Sequence, residues 1–193
     1  MTGSKNHLAQ WRDRLSQRAL DQEWYELQQA QLRYSVTYEG PKIVYPDIAL
    51  EPRFSLDTDG RYPDMTAFSI PSGDHSLVAF LNSSALWFFL CRTAAVLGDA
   101  DNRGRVRCKT QYVSRLPIPP CSAADKAKLT KLAERAAKAA TDGDAAAVAQ
   151  IERDIDEIIY RLFDLTAAEI TQIETALANT RGQSSDDDDS GDN

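Results

Sequence analysis

The sequence is poor in the residues that build covalent or metal-bound frameworks. Its 193 residues include three cysteines and two histidines. There is no C-x-x-C pair, and no histidine lies at ligand spacing from a cysteine. An odd number of isolated cysteines argues against a disulfide framework and against a zinc site. The isolated cysteines indicate reduced thiols in a cytoplasmic protein. Near residue 1 no apolar h-region follows a basic stretch, so we expect no secretory signal.

The short motifs of common catalytic sites are also absent. The sequence has no G-x-G-x-x-G, no Walker lysine loop, no H-E-x-x-H and no G-x-S-x-G. Neither His7 nor His75 has an acidic or nucleophilic partner at a persuasive spacing. Two close pairs of carboxylates occur in a D-x-D-G turn and on a charged helix flank, where turn geometry and solvation account for them. We therefore predict no catalytic residue and no metal ligand on this chain.

One segment is long enough to span a bilayer. Residues 77–97 read LVAFLNSSALWFFLCRTAAVL, but Asn82, Ser83, Ser84 and Arg92 interrupt the apolar run and no polybasic flank orients it. We therefore predict a pair of buried core helices and no membrane partner.

Charge is unevenly distributed along the chain. The net charge is −7, with 14 basic and 13 acidic side chains up to residue 121 but 8 basic and 16 acidic beyond it. The acidity belongs to the C-terminal part, which leaves the first part able to approach a polyanion.

Hydrophobic periodicity predicts a mixed arrangement up to about residue 120. A helical period over residues 6–31 favours one or two amphipathic helices. Runs of β-branched and aromatic residues separated by Pro, Gly and Asp then predict strands, at 41–50, 53–57 and 65–70. Ser72 or Asp74 can cap the helices that follow, over 75–81 and 84–97, and because these are apolar on nearly every face we expect them in the core.

Beyond residue 120 the pattern is helical. Two capping-box patterns each predict the start of a helix: Ser122 with Asp125, and Thr166 with Glu169. A turn at 142–144 ends the first helix, and the next one has an apolar face that comprises Ile151, Ile155, Ile158 and Leu162.

The expected fold class is therefore α+β, with a small mixed β-sheet and core helices followed by a C-terminal helical segment. The expected units are an N-terminal helical segment (1–31), an α+β domain (32–120), C-terminal helices (121–180) and a disordered acidic tail (181–193).

The stretch 103-RGRVRCKTQYVSRLPIPP-120 concentrates cations with no acid among them. Arg103, Arg105, Arg107 and Lys109 alternate, so an extended strand would place them on one side at ~3.3 Å per residue. Nucleic-acid phosphates can follow such a line, and the planar Arg fork can read guanine. A solvated edge strand protected by its charges is the alternative interpretation.

Four phrases in the sequence, taken together and in order, resemble one known family. They are 41-PKIVYPDIA-49, 80-FLNSSALWFFL-90, 111-QYVSRLPIPP-120 and 154-DIDEIIYRLFDLTAAEI-170. The chain, from about residue 22 to 175, resembles the TaqI-like C-terminal specificity domain of adenine-N6 DNA methyltransferases. Such domains belong to restriction–modification and related phage-defence systems.

The resemblance implies that the chain binds double-stranded DNA and selects the target site. A methyltransferase domain or subunit would bind S-adenosylmethionine and methylate a flipped adenine. The sequence has neither the N-P-P-[YF] or D-P-P-[YF] tetrapeptide nor a glycine-rich cofactor loop. We therefore expect no cofactor on this chain and catalysis on a separate domain or subunit.

Candidate DNA contacts come from two sources. The polar or mixed positions within the matching phrases are Lys42, Asn82, Ser83, Gln111, Tyr112 and Arg115. Charge and alternation, independently of the resemblance, add Arg103, Arg105, Arg107 and Lys109. Asn82 also has a structural interpretation, as a cap or turn between two core helices.

Two other functions remain open at this point. In the first, the C-terminal helices dock a protein partner through their apolar face, and the basic stretch is incidental. In the second, the chain is a free-standing enzyme, which S-adenosylmethionine binding by the isolated chain would support.

Overall fold

The computed structural model describes residues 2–18, 22–26, 35–98 and 104–181. Arg103, parts of the helical pattern at 6–31 and the acidic tail from residue 182 lie outside these ranges. At the start, α1 (Thr2–Leu8) and α2 (Arg12–Ser16) flank a 3-10 turn at Ala9–Trp11. The turn and α2 bury no side chain, so they add little to the core.

A short helix, α3 (Ser35–Glu39), precedes the strands. The strands are β1 (Lys42–Pro46), β2 (Ile48–Ala49), β3 (Ser55–Asp57), β4 (Ala67–Ile70), β5 (Val96–Leu97) and β6 (Arg105–Arg107). In the described residues they form two antiparallel sheets, ordered β3-β1-β4 and β2-β6-β5. The predicted α+β class is confirmed, with two small antiparallel sheets in place of one mixed sheet. Pro46 is the last residue of β1, as expected for a residue that cannot donate to the ladder.

Two helices after the first sheet are the predicted core helices, α4 (His75–Asn82) and α5 (Ser84–Thr93). The Asp74 carboxylate caps α4 by accepting a hydrogen bond from the Ser76 amide at 2.9 Å. Among the described residues no single helix is long and apolar enough to cross a membrane, although α4 and α5 together have the length and composition of a span, with a bend of 59° between them. Both helices bury side chains in the protein core, including Phe80 and Leu86.

The second core helix ends earlier than its apolar pattern suggests, at Thr93 instead of residue 97. Ala94 has an extended backbone, and the Ala95 carbonyl accepts a hydrogen bond from the Arg107 amide at 2.9 Å. Val96 and Leu97 then pair with β6. Ladder bonds to a distant strand therefore replace the last helical turn.

The next helix, α6 (Thr110–Val113), is short, and three long helices follow it. They are α7 (Ala123–Thr141), α8 (Ala145–Leu162) and α9 (Ala167–Arg181). The Ser122 hydroxyl accepts a hydrogen bond from the Asp125 amide at 3.0 Å, and the Thr166 amide donates to the Glu169 carboxylate at 2.8 Å. Both predicted helix starts are thus confirmed. Thr166 and Glu169 form the reciprocal bonds of a capping box, whereas the Asp125 carboxylate accepts from the Ser122 hydroxyl. Gly143, with φ 76°, supplies the left-handed turn between α7 and α8.

The side chains pack into two hydrophobic clusters. The first joins both sheets to α5 and to residues of α8 and α9, and includes Ile43, Tyr45, Leu90, Val106 and Ile173. The second joins α4, α5, α7 and α8, and includes Phe80, Leu86, Leu129, Ile155 and Ile159. Ala85 and Leu116 contact both clusters. The C-terminal helices therefore pack directly on the elements that support the sheets.

Candidate nucleic-acid interface

Three residues of the basic stretch form β6 (Arg105–Arg107), the central strand of the second sheet. Arg105 is exposed, Val106 is buried and Arg107 is half-buried. The two arginine side chains therefore project from one face of β6, and Val106 points into the core. The predicted alternation is present at these positions.

Aliphatic side chains lie beside both arginines on this face. In the antiparallel register, Ile48 lies opposite Arg107 and Leu97 lies opposite Arg105. Directly opposed residues share a face of the sheet, and Ile48 and Leu97 are 39% and 37% exposed. We call these four residues, Ile48, Leu97, Arg105 and Arg107, the cationic face. It offers charge for phosphates and apolar surface for sugars or base edges.

The strand leads directly into α6, which carries the other predicted polar positions. Lys109 is half-buried and is the N-cap residue of α6, with an extended backbone but no side-chain capping bond. Gln111 is exposed on α6, and Arg115 is exposed two residues after the helix ends. Tyr112 is half-buried and packs against the first hydrophobic cluster. Arg105, Gln111 and Arg115 are thus the candidates with the most accessible side chains.

One arginine of the cationic face is held by an acid. Arg107 Nη2 donates to Asp47 Oδ2 at 3.0 Å, with side-chain exposures of 28% and 21%. The sequence interpretation did not include Asp47. It follows Pro46 at a strand end, but nothing local links it to a residue 60 positions away.

Lys42 occupies a different place from the exposed arginines. Its side chain is fully buried, and its ammonium donates to the Asp57 carboxylate and to the Tyr38 carbonyl at 2.7 Å. The Lys42 bond, together with amide bonds from Asp59 and Arg61, outweighs burial and lowers the pKa of Asp57. Lys42 was predicted to face DNA, and the structure corrects this placement because no part of the side chain reaches the surface.

The same correction applies to the junction of α4 and α5. Asn82 is half-buried and exchanges two hydrogen bonds with the Phe54 backbone, at 3.0 and 2.8 Å. Ser83 is 2% exposed and its hydroxyl caps α5 by accepting from the Leu86 amide. Both side chains hold the scaffold, in agreement with the cap-or-turn interpretation of Asn82.

The connection between β3 and β4 adds exposed groups that the sequence patterns did not single out. Tyr62 and Met65 are 60% and 95% exposed. The Thr66 carbonyl accepts a hydrogen bond from the Asp47 amide at 2.8 Å, which fixes this connection beside the cationic face. A proline- and aspartate-rich turn gives little local signal of such a neighbour.

The described residues give little support for a metal site or a catalytic thiol. No group of three or more His, Cys, Asp or Glu side chains there is placed to hold a metal ion. Burial raises the pKa of the Cys91 thiol to about 11 and that of Cys108 to about 12, which disfavours a nucleophilic thiolate. Asp156 is one of the paired carboxylates on the flank of α8. It accepts a hydrogen bond from the Ser84 amide at 2.8 Å, and this bond connects α8 to α5.

The apolar face of α8 is already occupied. Ile151 and Ile155 are 4% and 5% exposed and pack in the second cluster with Phe80 and Leu129, while Ile158 and Leu162 are partly buried against it. This face cannot dock a protein partner without opening the core, so the protein-interaction hypothesis loses its main support.

A protein-family model matches residues 1–118 of the chain. The model is described as the TaqI-like C-terminal specificity domain. The matched range contains the cationic face, α6 and both sheets, and ends two residues before Pro120. The fourth matching phrase, at 154–170, lies outside it.

Proposed function

The chain belongs to the TaqI-like C-terminal specificity domain family, and on that premise we propose that it is the target-recognition module of an adenine-specific DNA methyltransferase, with catalysis on a separate domain or subunit. Membership of this family implies a specificity domain of restriction–modification enzymes, associated with DNA and with a methyltransferase domain. Cytoplasmic localisation and a role in phage defence complete the proposal.

The observation that carries the proposal is an exposed cationic strand inside the matched range. Arg105 projects from β6, and Gln111 and Arg115 follow on and after α6. We propose these three as the principal DNA contacts, with Arg107, Lys109 and Tyr112 contributing the parts of their side chains that remain exposed. Arg103 stays in the proposal on charge alone.

The proposal places S-adenosylmethionine on the partner domain. A cofactor-binding glycine loop needs closely spaced glycines where a strand meets a helix. Gly60, Gly98 and Gly143 have positive φ, but each is an isolated turn residue. Among the described residues these glycines do not form such a loop, so the proposal assigns no catalytic step to this chain.

The test is DNA binding by the purified chain as a function of salt. If the chain neutralises Z phosphates, log affinity falls with log salt with a slope of about −0.9Z. Arg105→Ala is expected to reduce that slope by about one and to weaken binding roughly tenfold at low salt. Electrophoretic mobility shift with random and genomic duplexes measures both quantities.

The matched control is Arg135→Ala, which removes an exposed arginine from α7, a helix that packs on α4 and α8. It changes the net charge by the same amount and is expected to leave the slope unchanged. No binding at low salt contradicts the proposal. Equal losses from the two variants mean that overall charge, and not the cationic face, determines binding.

A further inference from the structure

Arg107 is the one residue of the cationic face whose charged end is fixed within the described part of the chain. Its Nη2 donates to Asp47 Oδ2 at 3.0 Å, whereas Arg105 has no ion-pair partner there. Arg107 Nε and Asp47 Oδ1 are buried and have no hydrogen-bond partner among the described residues. The pair therefore holds the guanidinium in place, and because Nε is buried, the N–H groups of Nη1 and the second N–H of Nη2 are the ones left for a base.

Asp47 is itself held from two sides through its backbone. Its amide donates to the Thr66 carbonyl at 2.8 Å, and its carbonyl accepts from the Cys108 amide at 2.7 Å. These bonds tie it both to the connection before β4 and to the end of β6. The backbone that carries the Asp47 carboxylate is therefore fixed. Because both hydrogen bonds are made by the backbone, a side-chain substitution does not remove them.

An acid at this position needs a physical reason. A carboxylate beside a DNA-binding face repels phosphates and offsets the charge of the arginine with which it pairs. A fixed orientation is useful for reading guanine, because the planar Arg fork donates two parallel hydrogen bonds to O6 and N7 and loses them if it rotates. Phosphate contacts tolerate a mobile cation, so orientation matters for sequence discrimination more than for affinity.

We propose that Asp47 is a positioning residue that orients Arg107 for a direct guanine contact, while Arg105 supplies sequence-independent phosphate contact. This rests on the proposed function, since it assigns the readout role within that same surface. It predicts opposite effects on two quantities: removal of the Asp47 carboxylate raises affinity for random DNA and lowers base discrimination.

The experiment selects bound duplexes from a library with a randomised central region and sequences the bound pool. The full chain is compared with Asp47→Ala, Asp47→Asn and Glu51→Ala. Glu51 is a matched control because it is an exposed acid paired with Arg53 close to β2, and its removal changes the charge equally. Thermal denaturation of each variant checks folding.

The unsubstituted chain is expected to enrich guanine at one or two positions. Asp47→Ala should lower that enrichment roughly tenfold while binding random duplex more tightly. Asp47→Asn keeps an acceptor oxygen, so it should lose less, and Glu51→Ala should retain the full enrichment.

Unchanged base preferences in Asp47→Ala overturn the inference and leave the proposed function intact. If Asp47→Ala does not fold, Asp47→Asn is the test. Base preferences of Asp47→Asn equal to those of the unsubstituted chain then overturn the inference. Loss of enrichment in Glu51→Ala also overturns the inference, because discrimination then follows charge alone. Absence of any enrichment by the unsubstituted chain overturns the proposed function, and the inference falls with it.

Discussion

At the residue scale, Lys42 and Arg105 have opposite environments although both are cations on short strands. The Lys42 ammonium is buried beside the Asp57 carboxylate, and Asp57 also accepts bonds from the Asp59 and Arg61 amides. The pair therefore fastens the start of the β3–β4 connection to β1. Arg105 makes no comparable bond within the described residues and keeps its charge in solvent.

Replacement of Lys42 by Met is expected to destabilise the protein strongly, because it leaves the Asp57 carboxylate buried without its cation. The urea midpoint should fall well below that of Arg53→Met, which removes only an exposed pair with Glu51. Chemical denaturation followed by circular dichroism measures both midpoints. Equal midpoints in the two variants contradict a structural role for the Lys42–Asp57 pair.

At the element scale, helix ends are joined by charge as well as by packing. Asp74 caps α4, and its carboxylate also pairs with Lys126 in the first turn of α7 at 2.7 Å. Burial opposes ionisation of Asp74, but the bonds from Lys126 and Ser76 outweigh it and lower its pKa from 3.8 to about 2. One side chain thus stabilises a helix start and the packing of two helices.

Because the folded pKa of Asp74 is lowered, its contribution to stability is complete above pH 3.8 and is lost as the pH falls towards 2. Asp74→Ala should therefore cost roughly 1 kcal/mol near neutral pH, as expected for loss of a partly exposed N-cap. The difference from the unsubstituted chain should shrink as the pH falls through this interval. Denaturant unfolding at a series of pH values measures it, and a difference that stays constant with pH contradicts the assignment.

At the scale of the whole molecule, the two clusters meet at α4, α5 and Leu116. Leu116 follows Arg115, the last cation of the basic stretch, and contacts both clusters. Tyr160, Ile173 and Leu177 of the last two helices enter the cluster beneath the sheets. The acidic helices therefore support the cationic face mechanically although they carry the opposite charge. We expect the described parts of the fold from α3 to α9 to unfold together.

Leu129→Ala tests this coupling, because Leu129 is fully buried in the second cluster. The cavity is expected to cost about 2–5 kcal/mol. Trp87 lies in the first cluster, so its fluorescence, in a chain with Trp11 and Trp24 replaced by Phe, reports on the other side of the molecule. Coincident fluorescence and far-UV circular dichroism transitions are expected. A Trp87 transition that stays in place while the helical signal shifts shows that the clusters unfold separately.

Local sequence was sufficient where the deciding interactions lie within a few residues. The caps at Ser122 and Thr166 place α7 and α9 because each hydroxyl accepts from the amide three residues on, and the Glu169 carboxylate also accepts from the Thr166 amide. The alternation of Arg105, Val106 and Arg107 determines which side chains leave β6, since neighbouring side chains in a strand point to opposite faces. The phrases up to residue 120 indicated the family, which the match over residues 1–118 confirms.

Only the tertiary structure decided what depends on groups distant in sequence. Lys42 meets an acid 15 positions away, Asn82 meets the Phe54 backbone 28 positions away, and Arg107 meets Asp47 60 positions away. Composition shows that these side chains are polar, but the choice between DNA and a buried partner depends on which strands pair. The sequence by itself determined the fold class, the starts of the core and C-terminal helices, and the family. The tertiary structure determined which cations are exposed, because burial and ion pairing are properties of the assembled sheets.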